Sequence, residues 1–353
     1  MNVDLTSTVR PVRVLIVDDT RTIRMLIRAL LSQDPRIVVV GEAGDPYEAR
    51  DMIKSLQPDV LTLDVEMPRM NGLVFLEKIM RLRPMPVIMV STRTAEQSDA
   101  AVKALSLGAL DCIDLKRLQA GDSRVANLAD TVVIAAKATV RKPELPEVNS
   151  NVPSSQAAFR WNGKCVVIGS STGGVEALMK VFSNYPEDGP PIVVAQHMPA
   201  PFLESFARRL DSHCRGVVRL AKDGDILRQG EILIGAGGQH HTTLRGNEVP
   251  RIHTVTDDGN ALYVPSVELL FQSAVTLGPK AVGVMLTGMG RDGALQMLEM
   301  RQAGAHTIAQ SSETVVVDGM PKAARDCGAV IDVVDLDRIC RRILQVTSEG
   351  LDA

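Results

Sequence analysis

Residues 12–19 read VRVLIVDD, a short apolar run cut off by two adjacent aspartates, and the reading of this stretch decides the fold of the N-terminal half. With only Arg13 charged, the run does not alternate between apolar and polar residues. It is therefore read as a strand covered on both faces, the signature of a parallel sheet. A helical spacing follows at Ile23, Leu26, Ile27 and Leu30. The same alternation then repeats: strand Ile37 to Val40, helix through Ala49, Met52, Ile53 and Leu56, strand Val60 to Leu63, helix Leu73 to Leu82, strand Val87 to Val90, and a helix reaching Leu107. Such βα repetition predicts a parallel sheet with helices on both faces.

Further along, residues 141–160 read RKPELPEVNSNVPSSQAAFR, with Pro143, Pro146 and Pro153 among polar residues, which is the composition of an extended, solvated tether. Beyond it, Cys165 to Ile168, Ile192 to Ala195 and Ala281 to Leu286 are again short apolar runs, each followed by Gly-rich or polar residues and a helical stretch. Asp223 to Ile234 and Arg251 to Val255 look more like hairpin material, so an antiparallel edge is expected in this half. The fold class is thus α/β, with two doubly wound parallel-sheet domains. The expected boundaries are residues 1–120, a connecting part over 121–160, and 161–353, a division that suits a chain of 353 residues.

Composition excludes several classes. Lys and Arg number 39 against 42 Asp and Glu, a net charge of −3, so nothing draws the whole chain to nucleic acid or an anionic membrane. Aromatic residues make up only 3%, which leaves few rings for stacking bases. The five cysteines include no C-x-x-C pair, and an odd count does not suit a disulfide framework. Asp18 and Asp19 stand where a secretory signal needs apolar residues, and no run of about 18 apolar residues occurs, so a cytoplasmic protein without membrane insertion is expected.

In a parallel α/β sheet ligands bind beyond the carboxyl ends of the strands. In the first half those ends carry Asp18 and Asp19, Asp64, and Ser91 with Thr92. Three converging carboxylates repel one another unless a cation sits among them, and all-oxygen ligation favours Mg²⁺; singly, each residue is equally a helix cap or turn former. In the second half Gly169-Ser170-Ser171-Thr172-Gly173-Gly174 joins a strand to a helix, a turn that can hold an anion or present a nucleophile. His197 and Asp292 leave two further strand ends. A hydroxyl, an imidazole and a carboxylate in that setting are what a Ser-His-Asp relay requires, although each alone is also an ordinary strand-end or capping residue. His240 and His241, after a Gly-Gly turn, read as surface or capping residues at the rim.

The first half resembles the receiver domain of two-component response regulators over residues 11–120, through Asp18-Asp19, Asp64 followed by Met67-Pro68 and Asn71-Gly72, and Ser91. The resemblance implies a flavodoxin-like domain in which Asp64 accepts a phosphoryl group from a histidine kinase. Asp18, Asp19, Asp64 and the carbonyl of Glu66 would surround Mg²⁺, and Ser91 would hydrogen-bond the phosphoryl group. Receivers place a lysine at the end of the fifth strand; here that slot holds Leu115, with Lys116 one residue late. Either a local bulge lets Lys116 reach the phosphate, or the coupling of phosphorylation to conformational change is weakened.

The second half resembles the catalytic domain of chemotaxis protein-glutamate methylesterases over residues 164–346. The motifs are GSSTGG at 169–174, QHMP at 196–199, PSVELLF at 265–271, TGMGRDG at 287–293 and GMP at 319–321. Ser170 stands where Ala is usual. The resemblance implies a Rossmann-like α/β/α hydrolase with Ser171 as nucleophile, His197 as general base and then acid, and Asp292 as the orienting carboxylate. It also implies an oxyanion held by the backbone N–H of Met289 with Thr172 beside the nucleophile. The implied reaction is hydrolysis of glutamate methyl esters in methyl-accepting chemoreceptors, releasing methanol, with deamidation of glutamines at the same site and no cofactor for the ester chemistry. A monomer is expected, its receiver docking over the cleft until phosphorylated. The rivals are a response regulator whose output only binds receptors or DNA, and an unrelated small-ester serine hydrolase. No concentrated Lys/Arg patch after residue 164 supports DNA binding.

Overall fold

A computed structural model of the protein describes residues 10–67, 70–91, 95–114, 128–140 and 159–349. Pro68, Thr92, Leu115, Lys116 and the tether over 141–158 lie outside the described residues, as does the side chain of Ser91. The chain divides into two compact units, residues 1–93 with 107–143 and residues 94–106 with 144–353.

The first unit is built on five strands, β1 (Val12–Val17), β2 (Ile37–Ala43), β3 (Val60–Asp64), β4 (Val87–Ser91) and β5 (Asp111–Asp114). They are parallel throughout and ordered β2-β1-β3-β4-β5, the flavodoxin-like arrangement expected from the sequence. Val14, Leu15 and Ile16 are wholly buried, as a strand covered on both faces requires. Each such side chain contributes roughly 1.5–3 kcal/mol by leaving water. The strand order reverses direction between β1 and β3, and the acidic residues issue from those two strands.

The second unit holds β6 (Cys165–Ser170), β7 (Ile192–Gln196), β8 (Val217–Leu220), β9 (Glu231–Ile234), β10 (His240–Arg245), β11 (Arg251–Thr256), β12 (Ala281–Met285), β13 (His306–Gln310) and β14 (Asp332–Val334). Seven of them form one parallel sheet in the order β14-β13-β12-β6-β7-β9-β8. An antiparallel hairpin is present as β10 and β11; of the two stretches expected to form it only 251–255 takes part, and it is a separate two-stranded sheet, not an edge of the parallel one. The stretch 223–234 contributes β9 to the parallel sheet; on its way there the chain bridges to the hairpin at Ile226 and Arg251, and this detour gives it the length to return parallel to β8.

Strands β6, β7 and β12 are buried at every position, and the helices carry matching apolar faces. In the helix Leu336–Val346, for example, Ile339, Cys340 and Ile343 turn inward on one stripe. All five cysteines are free thiols. Among the described residues no helix is long and apolar enough to cross a membrane.

Candidate functional sites

Because β1 and β3 are neighbours with Val17 opposite Leu63, the residues that follow them meet at one edge of the sheet. Carboxylate oxygens of Asp18, Asp19 and Asp64 all lie within 4.8 Å of one another. The loop is held from below: the Thr20 amide donates to Asp18 Oδ1 at 2.8 Å, and Arg24 Nη1 donates to the carbonyls of Asp18 at 2.6 Å and Asp19 at 3.1 Å. Burial pushes the Asp18 carboxyl from its ordinary 3.8 up to about 6, against the Thr20 hydrogen bond, with Asp19 adding to the rise. Burial and the neighbouring Asp18 push Asp64 up to about 7, against the amides of Glu66 and Val65. Both carboxyls therefore hold their protons more tightly than ordinary aspartates, chiefly because burial disfavours their charged forms. An all-oxygen donor set of this span and charge fits a hard divalent cation such as Mg²⁺.

The sign of the resulting pH dependence follows from these raised values. The metal-free fold binds protons more tightly than the unfolded chain, so the cluster's stabilising contribution is complete below pH 3.8 and is lost as pH rises through about 7. Added Mg²⁺ competes with those protons, so the rise in melting temperature that it causes should grow between about pH 6 and pH 8. A Mg²⁺ effect that is flat across this range would show that the three carboxylates do not form the cation site.

In the second unit, strand order brings three chain segments side by side. Ser170 pairs with Gln196 across β6 and β7, and Gly169 with Met285 across β6 and β12. Ser171, His197 and the loop leading to Asp292 consequently leave the carboxyl edge of three adjacent strands. The ladder continues past the strands, as the His197 amide donates to the Ser170 carbonyl and the Ser171 amide to the Thr287 carbonyl, each at 3.0 Å. Ser171 is buried at 8% exposure, shielded from bulk water.

Asp292 is placed by the helix Val267–Ala274. Val267 wedges between Gly169 and Gly293, where a side-chain carbon on either glycine would come within 2.4 Å of its Cγ1. That close approach sets the first turn of the helix over the loop, and the amides of Val267 and Glu268 donate to the Asp292 carboxylate at 2.8 and 3.0 Å. The His197 ring completes the arrangement, its Nε2 2.7 Å from Asp292 Oδ2. Burial works to raise the Asp292 carboxyl, but the His197 hydrogen bond and charge and the two amides outweigh it and hold the group below its ordinary value. An ionised Asp292 can only accept, so Nε2 is the donor, and whenever the imidazole is neutral its lone pair is on Nδ1. Nδ1 is buried and without a hydrogen-bond partner. The two ring nitrogens thus have the reverse assignment of the more familiar triad, in which Nδ1 faces the carboxylate.

The two candidate serines separate cleanly. Ser170 is wholly buried and its Oγ donates to Gln196 Oε1 at 2.6 Å. Gln196 Nε2 in turn donates to the carbonyls of Ser171 at 2.9 Å and His197 at 3.2 Å. Two carbonyls can only accept, so the amide must face them with its nitrogen, and its oxygen must face a donor, which Ser170 supplies. Gly174 leaves room for that oxygen, since a side-chain carbon there would sit 2.1 Å from Oε1. Gln196→Glu replaces the donor by an oxygen pressed against two carbonyls. A buried hydrogen-bonding group left unsatisfied costs about 1–3 kcal/mol, so kcat should fall by about 10- to 100-fold. Wild-type turnover in this variant would remove Gln196 from the site.

The remaining expectations divide. Thr172 is buried beside Ser171 and its carbonyl accepts from Thr287 Oγ1 at 3.1 Å. Among the described residues the Met289 N–H donates to no backbone carbonyl. His240 is exposed, whereas His241 is buried: its Nδ1 accepts from the Ser266 amide at 3.2 Å and its Nε2 lies 3.4 Å from Asp257 Oδ1. Tyr263, which carries no motif in the sequence, stacks on the His197 ring.

Comparison with known proteins places both halves. The family described as CheB methylesterase matches residues 166–343, and the response regulator receiver domain matches residues 14–122. The chain is 49% identical over 340 residues to protein-glutamate methylesterase/protein-glutamine glutaminase 1 of Rhizobium johnstonii, covering 96% of this chain and 97% of that one. It is 48% identical to the protein of the same name from Caulobacter vibrioides, covering 96% and 98%. Among solved structures, the CheB methylesterase catalytic domain of Thermotoga maritima matches with a TM-score of 0.50 and 35% identity, covering 52% of this chain and 98% of that one.

Proposed function

The chain belongs to the CheB methylesterase family, with a response regulator receiver domain ahead of the catalytic one, and on that premise we propose that Ser171, His197 and Asp292 hydrolyse glutamate methyl esters of chemoreceptors and deamidate glutamines there. The observation that carries the assignment is the His197–Asp292 contact of 2.7 Å, together with a buried and unpartnered Nδ1 on the same ring.

The chemistry runs on these atoms. Ser171 Oγ attacks the ester carbonyl carbon and its proton passes to His197 Nδ1, making an imidazolium that Asp292 stabilises through Nε2–H. The negative charge that develops on the carbonyl oxygen is met by the Met289 N–H. The carbonyl re-forms as the C–O bond to methoxide breaks, and His197 returns the proton so that methanol leaves. Water then attacks the acyl-serine by the same route and releases the glutamate carboxylate. A glutamine substrate differs only in losing ammonia at the first stage.

In the receiver, Asp64 is the carboxylate that attacks phosphorus, with a histidine kinase as phosphodonor. Asp18, Asp19 and Asp64 are the residues that would hold Mg²⁺, whose chemistry is to neutralise the phosphoryl oxygens. Lys116 and the Ser91 hydroxyl are assigned to the phosphoryl group from the resemblance alone. We place the protein in the cytoplasm, in keeping with its five free thiols, and take it to work as a monomer. The test is a methanol-release assay. The full chain should demethylate a methyl-esterified receptor fragment far faster than a generic small ester, and faster again after treatment with a phosphodonor. Equal rates on both esters would return the protein to the class of small-ester hydrolases.

A further inference from the structure

The His197 ring is held by one hydrogen bond, through Nε2, and a single bond fixes a position without fixing a plane. The ring could turn about the Nε2···Asp292 direction and change where Nδ1 points, because Nδ1 has no partner of its own to stop it. What lies against the ring is Tyr263, with centroids 4.0 Å apart and planes inclined by only 10°. We propose that Tyr263 is a positioning residue whose flat face sets the plane of the catalytic imidazole and thereby aims Nδ1 at the nucleophile; this rests on the Ser171-His197-Asp292 assignment.

Two further features support the role. Tyr263 is four residues before Val267 and five before Glu268, whose amides hold Asp292. One short segment, 263–268, thus places both members of the His–Asp pair, the carboxylate through its amides and the imidazole through its ring. The stack also bears on the charge formed in the reaction. The π face of a phenol is its electron-rich side, so it favours the imidazolium produced when Ser171 gives up its proton. The His197 side chain is only 5% exposed, so water does little to screen that attraction.

The experiment compares flat and non-flat replacements in the full chain, reading kcat and KM on a methyl-esterified receptor fragment. It also reads the rate at which a small fluorophosphonate labels Ser171, a reaction that needs no receptor binding. Tyr263→Phe keeps the face and should stay within about twofold of wild type on all readouts. Tyr263→Leu loses the face, and its kcat and labelling rate should fall together by about tenfold while KM stays within about twofold. Tyr263→Met supplies the same comparison with an unbranched side chain should the Leu variant fold poorly. The proposal is overturned if both non-flat variants turn over and label like wild type, if Phe loses as much as Leu, or if the loss falls on KM alone. Ser171→Ala separates the two levels: retained methanol release in that variant removes the triad reading and this proposal with it, whereas an inactive Ser171→Ala beside a normal Tyr263→Leu overturns the stacking role only.

Discussion

Ser171→Ala is expected to lose methanol release from methylated receptor and ammonia release from receptor glutamines together, each by at least about 10³-fold, or about 4 kcal/mol in transition-state stabilisation. Both reactions need the same acyl-serine, so no route around the missing hydroxyl serves one and not the other. The loss should come without unfolding, because the deleted atom is a single oxygen at the mouth of a turn whose backbone is anchored by the Thr287 carbonyl, the Gly174 amide and Gln196 Nε2. Ser170→Ala is the control: its oxygen is committed to Gln196 and lies wholly inside. That variant leaves Gln196 Oε1 without its donor and should lose no more than the roughly 10- to 100-fold expected of Gln196→Glu, far less than Ser171→Ala. Should Ser171→Ala retain methanol release, or Ser170→Ala abolish it, the nucleophile has been placed on the wrong serine.

Asp64→Asn is expected to end phosphoryl acceptance altogether. Incubation with an acyl phosphate and Mg²⁺ should incorporate one phosphoryl group into the wild-type chain and none into the variant, and the variant's esterase rate should no longer respond to the phosphodonor. A neutral amide removes one of the crowded charges, and the direction of the Asp64 shift gives the sign of the side effect. A carboxyl pushed up to about 7 destabilises the metal-free fold at higher pH, so at pH 8 the variant should melt above the metal-free wild type. Labelled phosphate still found on Asp64→Asn would move the acceptor elsewhere.

Much of this architecture is written in one-dimensional patterns, and the particular residues show why. Val14 to Val17 and Val166 to Ile168 are unbroken apolar runs because helices cover both faces of a parallel sheet, so strand, helix and layer could all be read from them. The acidic and hydroxyl residues stand out because they follow such runs, at the edge where side chains leave the core. His241 misled for the opposite reason. A histidine after Gly-Gly looks exposed in sequence, yet the packing of the hairpin buries it against Ser266. Tyr263 and the choice of ring nitrogen on His197 depend on contacts between segments far apart in the chain, and no local period encodes those. Ser170 beside Ser171 is an intermediate case: residue type offers two hydroxyls, the resemblance chooses Ser171, and the bond from Ser170 to Gln196 gives that choice a physical reason. Lys116, Ser91 and the tether remain sequence-level expectations.

The order β14-β13-β12-β6-β7-β9-β8 puts the strands leading to Asp292, Ser171 and His197 in the middle of the sheet, as far from its margins as seven strands allow. Local opening begins at margins, here at three-residue β14 and at β8, where Val217 is 55% exposed, and reaches the centre only when the whole domain opens. The backbone amides of β6, β7 and β12 should therefore exchange with solvent deuterium only through global unfolding. The consequence is a hydrolase whose catalytic strands do not fray: its capacity to cut esters is lost in one step with the domain, and partial breathing at the margins leaves the triad intact.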